Sequence, residues 1–100
     1  MTKRPNLRRQ ERTTSDANVT LRWSRASGEP QYARGKILDC SPLGVAIEVA
    51  NPIPVRSYVA LEAPQLHAGG WAGWGSVRWC SLKRSKYVVG LELSGGSRWN

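Results

Sequence analysis

From residue 18 onward the chain alternates between apolar and polar positions. In "VTLRWSR" the apolar residues Val19, Leu21 and Trp23 take every second place, with Thr20, Arg22 and Ser24 between them. A period of two sends successive side chains to opposite faces, which predicts a half-buried strand. "SGEP" (Ser27 to Pro30) carries turn chemistry, and "QYARGKILD" predicts a second strand ending at Asp39. "CSPLG" turns the chain into "VAIEVA", a third strand with Val45, Ile47 and Val49 set against Ala46 and Glu48. "NPIP" (Asn51 to Pro54) is a break, because two prolines cannot sit within a central strand.

"RSYVALEA" predicts a fourth strand, "GSVRWCSL" a fifth, "KRSK" a basic hairpin turn, and "YVVGLEL" a sixth strand with Tyr87, Val89, Leu91 and Leu93 on one face. Between the fourth and fifth, "PQLHAGGWAGWG" starts as a loop, and its glycines at 69, 70, 73 and 75 suggest a mobile hairpin connection. Six short, turn-linked strands without a helix predict an all-β fold: a small six-stranded antiparallel β-barrel, whose closure hides strand edges.

The rhythm is absent before residue 18. Residues 1–17 are polar and basic and are expected to form a flexible N-terminal arm, followed by the barrel at 18–94 and a short C-terminal tail at 95–100. A length of 100 residues allows one domain with one modest core. The net charge is +8, and half of it lies in the first twelve residues, where Lys3, Arg4, Arg8, Arg9 and Arg12 face Glu11 alone. Such a segment seeks an anion: nucleic acid, acidic lipid, a nucleotide phosphate or an acidic protein. The two cysteines, Cys40 and Cys80, are too few for a disulfide scaffold or a cysteine-based zinc site and suggest reduced thiols in a cytoplasmic protein. The N-terminus lacks the apolar segment of a signal peptide, and no apolar run approaches the roughly 20 residues that span a bilayer.

Catalytic patterns do not assemble. The one histidine, His67, falls in a Gly/Pro-flanked loop, and the seven carboxylates are dispersed, with Glu48 and Glu92 on the polar faces of their strands. No HExxH, GxSxG or P-loop occurs, and the glycines at 69–75 lack the Lys-Ser/Thr that would cradle a phosphate. The expectation is a binding module, not an enzyme, with no metal and no cofactor.

Two motifs remain. Arg8 and Arg12 form an RxxxR pair within "RRQER", and Arg4 with Arg8 forms another. "DCSPLG" places Asp39, Ser41 and Gly44 in a D-x-S-x-x-G pattern where a strand meets a turn, with Gly44 able to supply a positive φ. Arm first and barrel behind, this order resembles the PilZ domain family, which carries RxxxR in an N-terminal arm and [D/N]-x-S-x-x-G after its second strand. "VRWCSLKRSKYVVGLEL" is also similar to that family's closing hairpin, with Trp79, Gly90 and Leu91 in the matching places.

The resemblance implies binding of the bacterial second messenger cyclic di-GMP through Arg8, Arg9, Arg12, Asp39, Ser41, Gly44 and Trp79. It also implies an arm that folds over the ligand and signals to a downstream protein partner. The residue chemistry agrees. Arginine forks bind phosphate, or guanine O6 and N7, in bidentate fashion and stack on purines. Asp39 can accept from guanine N1–H and its 2-amino group. Ser41 can bond base or phosphate, Gly44 leaves room, and Trp79 offers a stacking surface unless alternation turns it into the core. Two other readings stay open: a small basic barrel that binds nucleic acid, and a ligand-free adaptor whose arm docks an acidic protein.

Overall fold

The computed structural model describes residues 13–66 and 68–96. Arg8, Arg9, Arg12 and His67 lie outside the described residues. Seven strands follow one another: β1 (Thr13–Thr14), β2 (Asn18–Ser24), β3 (Pro30–Ser41), β4 (Gly44–Val49), β5 (Tyr58–Ala63), β6 (Trp71–Lys83) and β7 (Lys86–Gly96). Every pairing is antiparallel, and the order is β1-β3-β2-β5-β6-β7-β4. A further pairing of β4 with β3 closes strands β2 to β7 into a six-stranded barrel, with β1 attached to β3. The all-β barrel expected from the alternation is the fold. Among the described residues there is no helix, and so none long and apolar enough to cross a membrane.

The inward positions of the alternation make the core. Leu21 from β2, Ile37 from β3, Ile47 from β4, Val59 and Leu61 from β5, Val77 from β6 and Val89 from β7 are fully buried. Each such side chain contributes about 1.5–3 kcal/mol by leaving water. Ile53, from the proline-rich connection after β4, joins them. Within the barrel the long strands β3 and β6 serve two neighbours each, and β3 also holds β1. The first part of β3 pairs with β2 and its last part with β4, while β6 pairs with β5 at its start and with β7 from Gly73 onward. The barrel therefore has two walls, β2–β5 and β4–β7, joined along β3 and β6.

The loop expected through Gly75 is shorter. β6 already begins at Trp71, and Gly73 and Gly75 are strand residues paired with Leu61 and Val59. These glycines mark close approach instead of a chain reversal. The buried Trp71 indole lies over Gly73, and Gly75 faces the Glu92 carbonyl where the β6–β7 register shifts. The chain reversal is confined to the residues before Trp71, where Gly70 takes a φ of 80° against Pro64. At the other end of β6 the basic turn is as expected. Lys83 pairs with Lys86 around Arg84 and Ser85, and Arg84 adopts a φ of 60°.

Two substitutions with opposite expected signs test this backbone. Gly75→Ala drives a Cβ into the Glu92 carbonyl and should lower stability by about 1–3 kcal/mol. Arg84→Gly relieves a left-handed residue and should raise stability by about 0.5 kcal/mol, net of glycine's extra chain entropy. Urea unfolding midpoints of the two variants, moving in opposite directions from the parent, check both.

Candidate functional site

Two β-bulges decide where the motif residues point. In β3, Ile37 pairs with Ile47 but Asp39 pairs with Ala46, so Leu38 is an extra residue. In β6, Val77 pairs with Leu91 but Trp79 pairs with Gly90, so Arg78 is extra. The strands between them, β4 and β7, pair without a shift. An inserted residue reverses the alternation beyond it. Ile37 and Val77 point into the barrel, and strict alternation would have sent Asp39 and Trp79 inward as well. The bulges turn both outward.

The consequence is one cross-strand row on the β4–β7 wall: Asp39, Ala46, Gly90 and Trp79, with Thr14 of β1 beyond Asp39. Asp39 and Trp79 stand at the two ends, their backbones about 14 Å apart at the usual strand spacing. Between them lie only an alanine and a glycine, so the floor is shallow. Trp79 is 47% exposed and not part of the core. Its ring lies across Gly90, where a Cβ would strike Nε1, Cε2 and Cζ2. Asp39 is half-buried at the β3 end of the row.

Ser41 and Gly44 close a two-residue hairpin around Pro42 and Leu43. Ser41 is buried, and its Oγ accepts a hydrogen bond from the Leu43 N–H at 3.3 Å. That leaves its O–H able to donate. The Leu43 carbonyl accepts from the Leu93 N–H at 3.0 Å, which fastens the turn to β7. The positive φ expected of Gly44 is not used; among the described glycines it occurs at Gly28 and Gly70. Gly44 sits at a close approach instead, since a Cβ there would stand 3.0 Å from the Leu91 carbonyl oxygen.

The chain arriving from the N-terminus is sewn to this corner. Thr13 pairs with Cys40 and Thr14 with Asp39. The Ser15 N–H donates to the Leu38 carbonyl at 2.9 Å, which satisfies the carbonyl of the inserted bulge residue, and the Ile37 N–H donates to Ala17. The Ala17 N–H donates to Ser15 Oγ at 3.0 Å, tightening the approach.

Arg78 was not singled out from the sequence. As the inserted residue of the second bulge it is exposed, and its guanidinium donates to Glu92 Oε1 at 2.7 Å. Glu92 pairs across β7 with Gly44, so this cation is held between Trp79 and the Ser41–Gly44 turn. So exposed an ion pair adds at most about 1 kcal/mol to stability; its effect is to orient the guanidinium. Alternation alone made Arg78 an ordinary outward residue, and only the bulge gives it this place.

Cys40 is buried directly behind Asp39, Cys80 is half-buried beyond Trp79, and neither is in a disulfide. Among the described residues no three histidine, cysteine or carboxylate side chains gather so as to hold a metal ion. No protein-family model matches the chain, and no curated protein shows significant similarity to it.

Gly90→Ala should displace the Trp79 ring and alter the near-ultraviolet circular dichroism of the tryptophan bands. The same substitution in a Trp79→Phe background should leave those bands unchanged.

Proposed function

We propose that the chain is a PilZ-type receptor for cyclic di-GMP, with the ligand seated on the row from Asp39 to Trp79 and enclosed by the arginines of the N-terminal arm. The observation that supports this reading is the pair of bulges, which bring a carboxylate and an indole to the two ends of one cross-strand row of small residues.

In this reading Asp39 accepts hydrogen bonds from guanine N1–H and the 2-amino group, a donor pair that adenine does not present. Trp79 stacks on a base, and Ser41 donates its O–H at the turn. Arg8, Arg9 and Arg12 neutralise the two phosphates by bidentate contact, and Arg78 adds a further cation beside the turn. Reach favours the scheme. β1 anchors the chain at Thr13, beside the row. Arg12 is the next residue, and Arg8 is five residues away, no more than about 18 Å of fully extended chain.

Ligand binding would then be coupled to the arm. Closing it over the barrel costs about 1–2 kcal/mol per ordered residue, a cost met only when the anion is present. The arm's position, and the surface it covers, would report the ligand to a protein partner. Two cysteines outside any disulfide fit a reducing, cytoplasmic setting. The adaptor reading has no observation of its own in its favour.

Arg12→Ala and Asp39→Ala should each weaken cyclic di-GMP binding at least tenfold, about 1.4 kcal/mol, in calorimetric titrations. Parent-like titrations of both variants would remove the proposed site.

A further inference from the structure

The β2–β5 wall carries a second organised row, and nothing in the proposed cyclic di-GMP site uses it. Tyr32 of β3 pairs with Arg22 of β2, Arg22 pairs with Ala60 of β5, and Ala60 pairs with Trp74 of β6. Tyr58 lies two residues from Ala60 on the same outer face of β5. Tyr32 is 66% exposed, Tyr58 56% and Trp74 45%. Together with Arg22 and Ala60 they line an open groove of about 440 Å³. The Trp74 ring lies across Gly95 of β7, so one indole face is supported and the other meets solvent.

Outward positions on a one-sided sheet are ordinarily polar. Three large aromatic side chains around an alanine floor, with an arginine in their midst, make a surface of the kind that proteins use for binding.

Charge narrows the occupant. The outward positions of β2, β5 and the β2-paired part of β3 carry Arg22, Arg34 and Lys36 against the single carboxylate Glu62. A second copy of a chain with net charge +8 would be repelled from such a face. A purely apolar ligand would bury Arg22 without a counter-charge. Bases fit both features: each offers a π-face to a tyrosine, an indole or a guanidinium, and the phosphates between them meet the cations. The backbones of Tyr32 and Trp74 are three strand spacings apart, about 14 Å, room for the two or three bases that an aromatic sheet surface stacks. Base pairs in a duplex keep their faces covered, so the surface selects unpaired strands.

We propose that the β2–β5 wall binds single-stranded nucleic acid, with Trp74, Tyr32 and Tyr58 as stacking platforms and Arg22 as the central cation. The site is independent of the cyclic di-GMP row, which lies on the other wall.

The test is a fluorescence-anisotropy titration of the full chain with a labelled oligothymidylate of about twelve nucleotides, and with a duplex of equal length. The single strand should bind more tightly than the duplex. Trp74→Ala and Tyr32→Ala should each weaken its binding at least fivefold, whereas Trp74→Phe, which keeps a ring, should retain most of it. Arg22→Ala should weaken binding and reduce the slope of log affinity against log salt by about one.

Neither aromatic variant should change the calorimetric response to cyclic di-GMP. Oligonucleotide binding that depends on Trp74 in a chain indifferent to cyclic di-GMP would support this proposal and remove the other. Absence of oligonucleotide binding would overturn it. So would equal affinity for single strand and duplex with Tyr32→Ala and Trp74→Ala unaffected, which is attraction by net charge alone.

Discussion

In a closed barrel, the face a side chain takes is decided by register. Once β4 has paired with both β3 and β7, no strand can slide without turning its core residues outward. The only local freedom left is to insert a residue. β7 takes one such residue at Ser94, opposite the Trp74–Gly75 step, and two more, Leu38 in β3 and Arg78 in β6, flank the unshifted β4–β7 pairing. Everything proposed about the β4–β7 wall depends on those two insertions. Without them Asp39 would be a buried carboxylate behind Ile37, at a desolvation cost of several kcal/mol, and Trp79 would compete with Val77 and Leu91 for core volume. The bulges therefore spare the core and equip the surface in one step.

The same bulge explains how the N-terminal segment is held. A bulge leaves its extra residue outside the ladder, and a buried unpaired carbonyl costs energy comparable to a lost hydrogen bond. The Ser15 N–H meets that need at Leu38, and β1 continues the pairing to Asp39 and Cys40. Docking of the incoming chain and presentation of Asp39 are thus aspects of one local arrangement. A segment that carries a basic run is tethered within a few residues of the carboxylate it would join around a ligand.

Much of this was legible in the residues themselves. Period-two alternation at Val19–Trp23, Val45–Val49 and Tyr87–Leu93 yields strands wherever one face is buried, and the six barrel strands follow it. The Asp39-Ser41-Gly44 spacing marked a turn, and a turn is there. The misreadings share a cause. Gly73 and Gly75 looked like chain reversal because a glycine needed for close approach and one needed for a left-handed φ are the same letter. Gly44 was credited with φ for the same reason. The side taken by Trp79 stayed open, and Arg78 passed unremarked, because a bulge is a property of two strands together. Neither "SVRWC" nor "KILDC" contains the partner whose register is skipped. The aromatic row on the β2–β5 wall was hidden likewise, since Tyr32, Arg22 and Trp74 become neighbours only through pairings between distant segments.

Three indoles in this barrel rest on glycines: Trp71 on Gly73, Trp74 on Gly95 and Trp79 on Gly90. In each the ring fills the volume that a methyl group on the glycine would claim: Gly73 lies on the same strand as its indole, Gly90 and Gly95 on the neighbouring one. Such a couple behaves as one unit in descent. A lineage that gave Gly90 or Gly95 a side chain would have to surrender or rotate the ring above it, so the paired positions should covary across any set of related sequences, and the outer indoles should persist only where their glycine seats do.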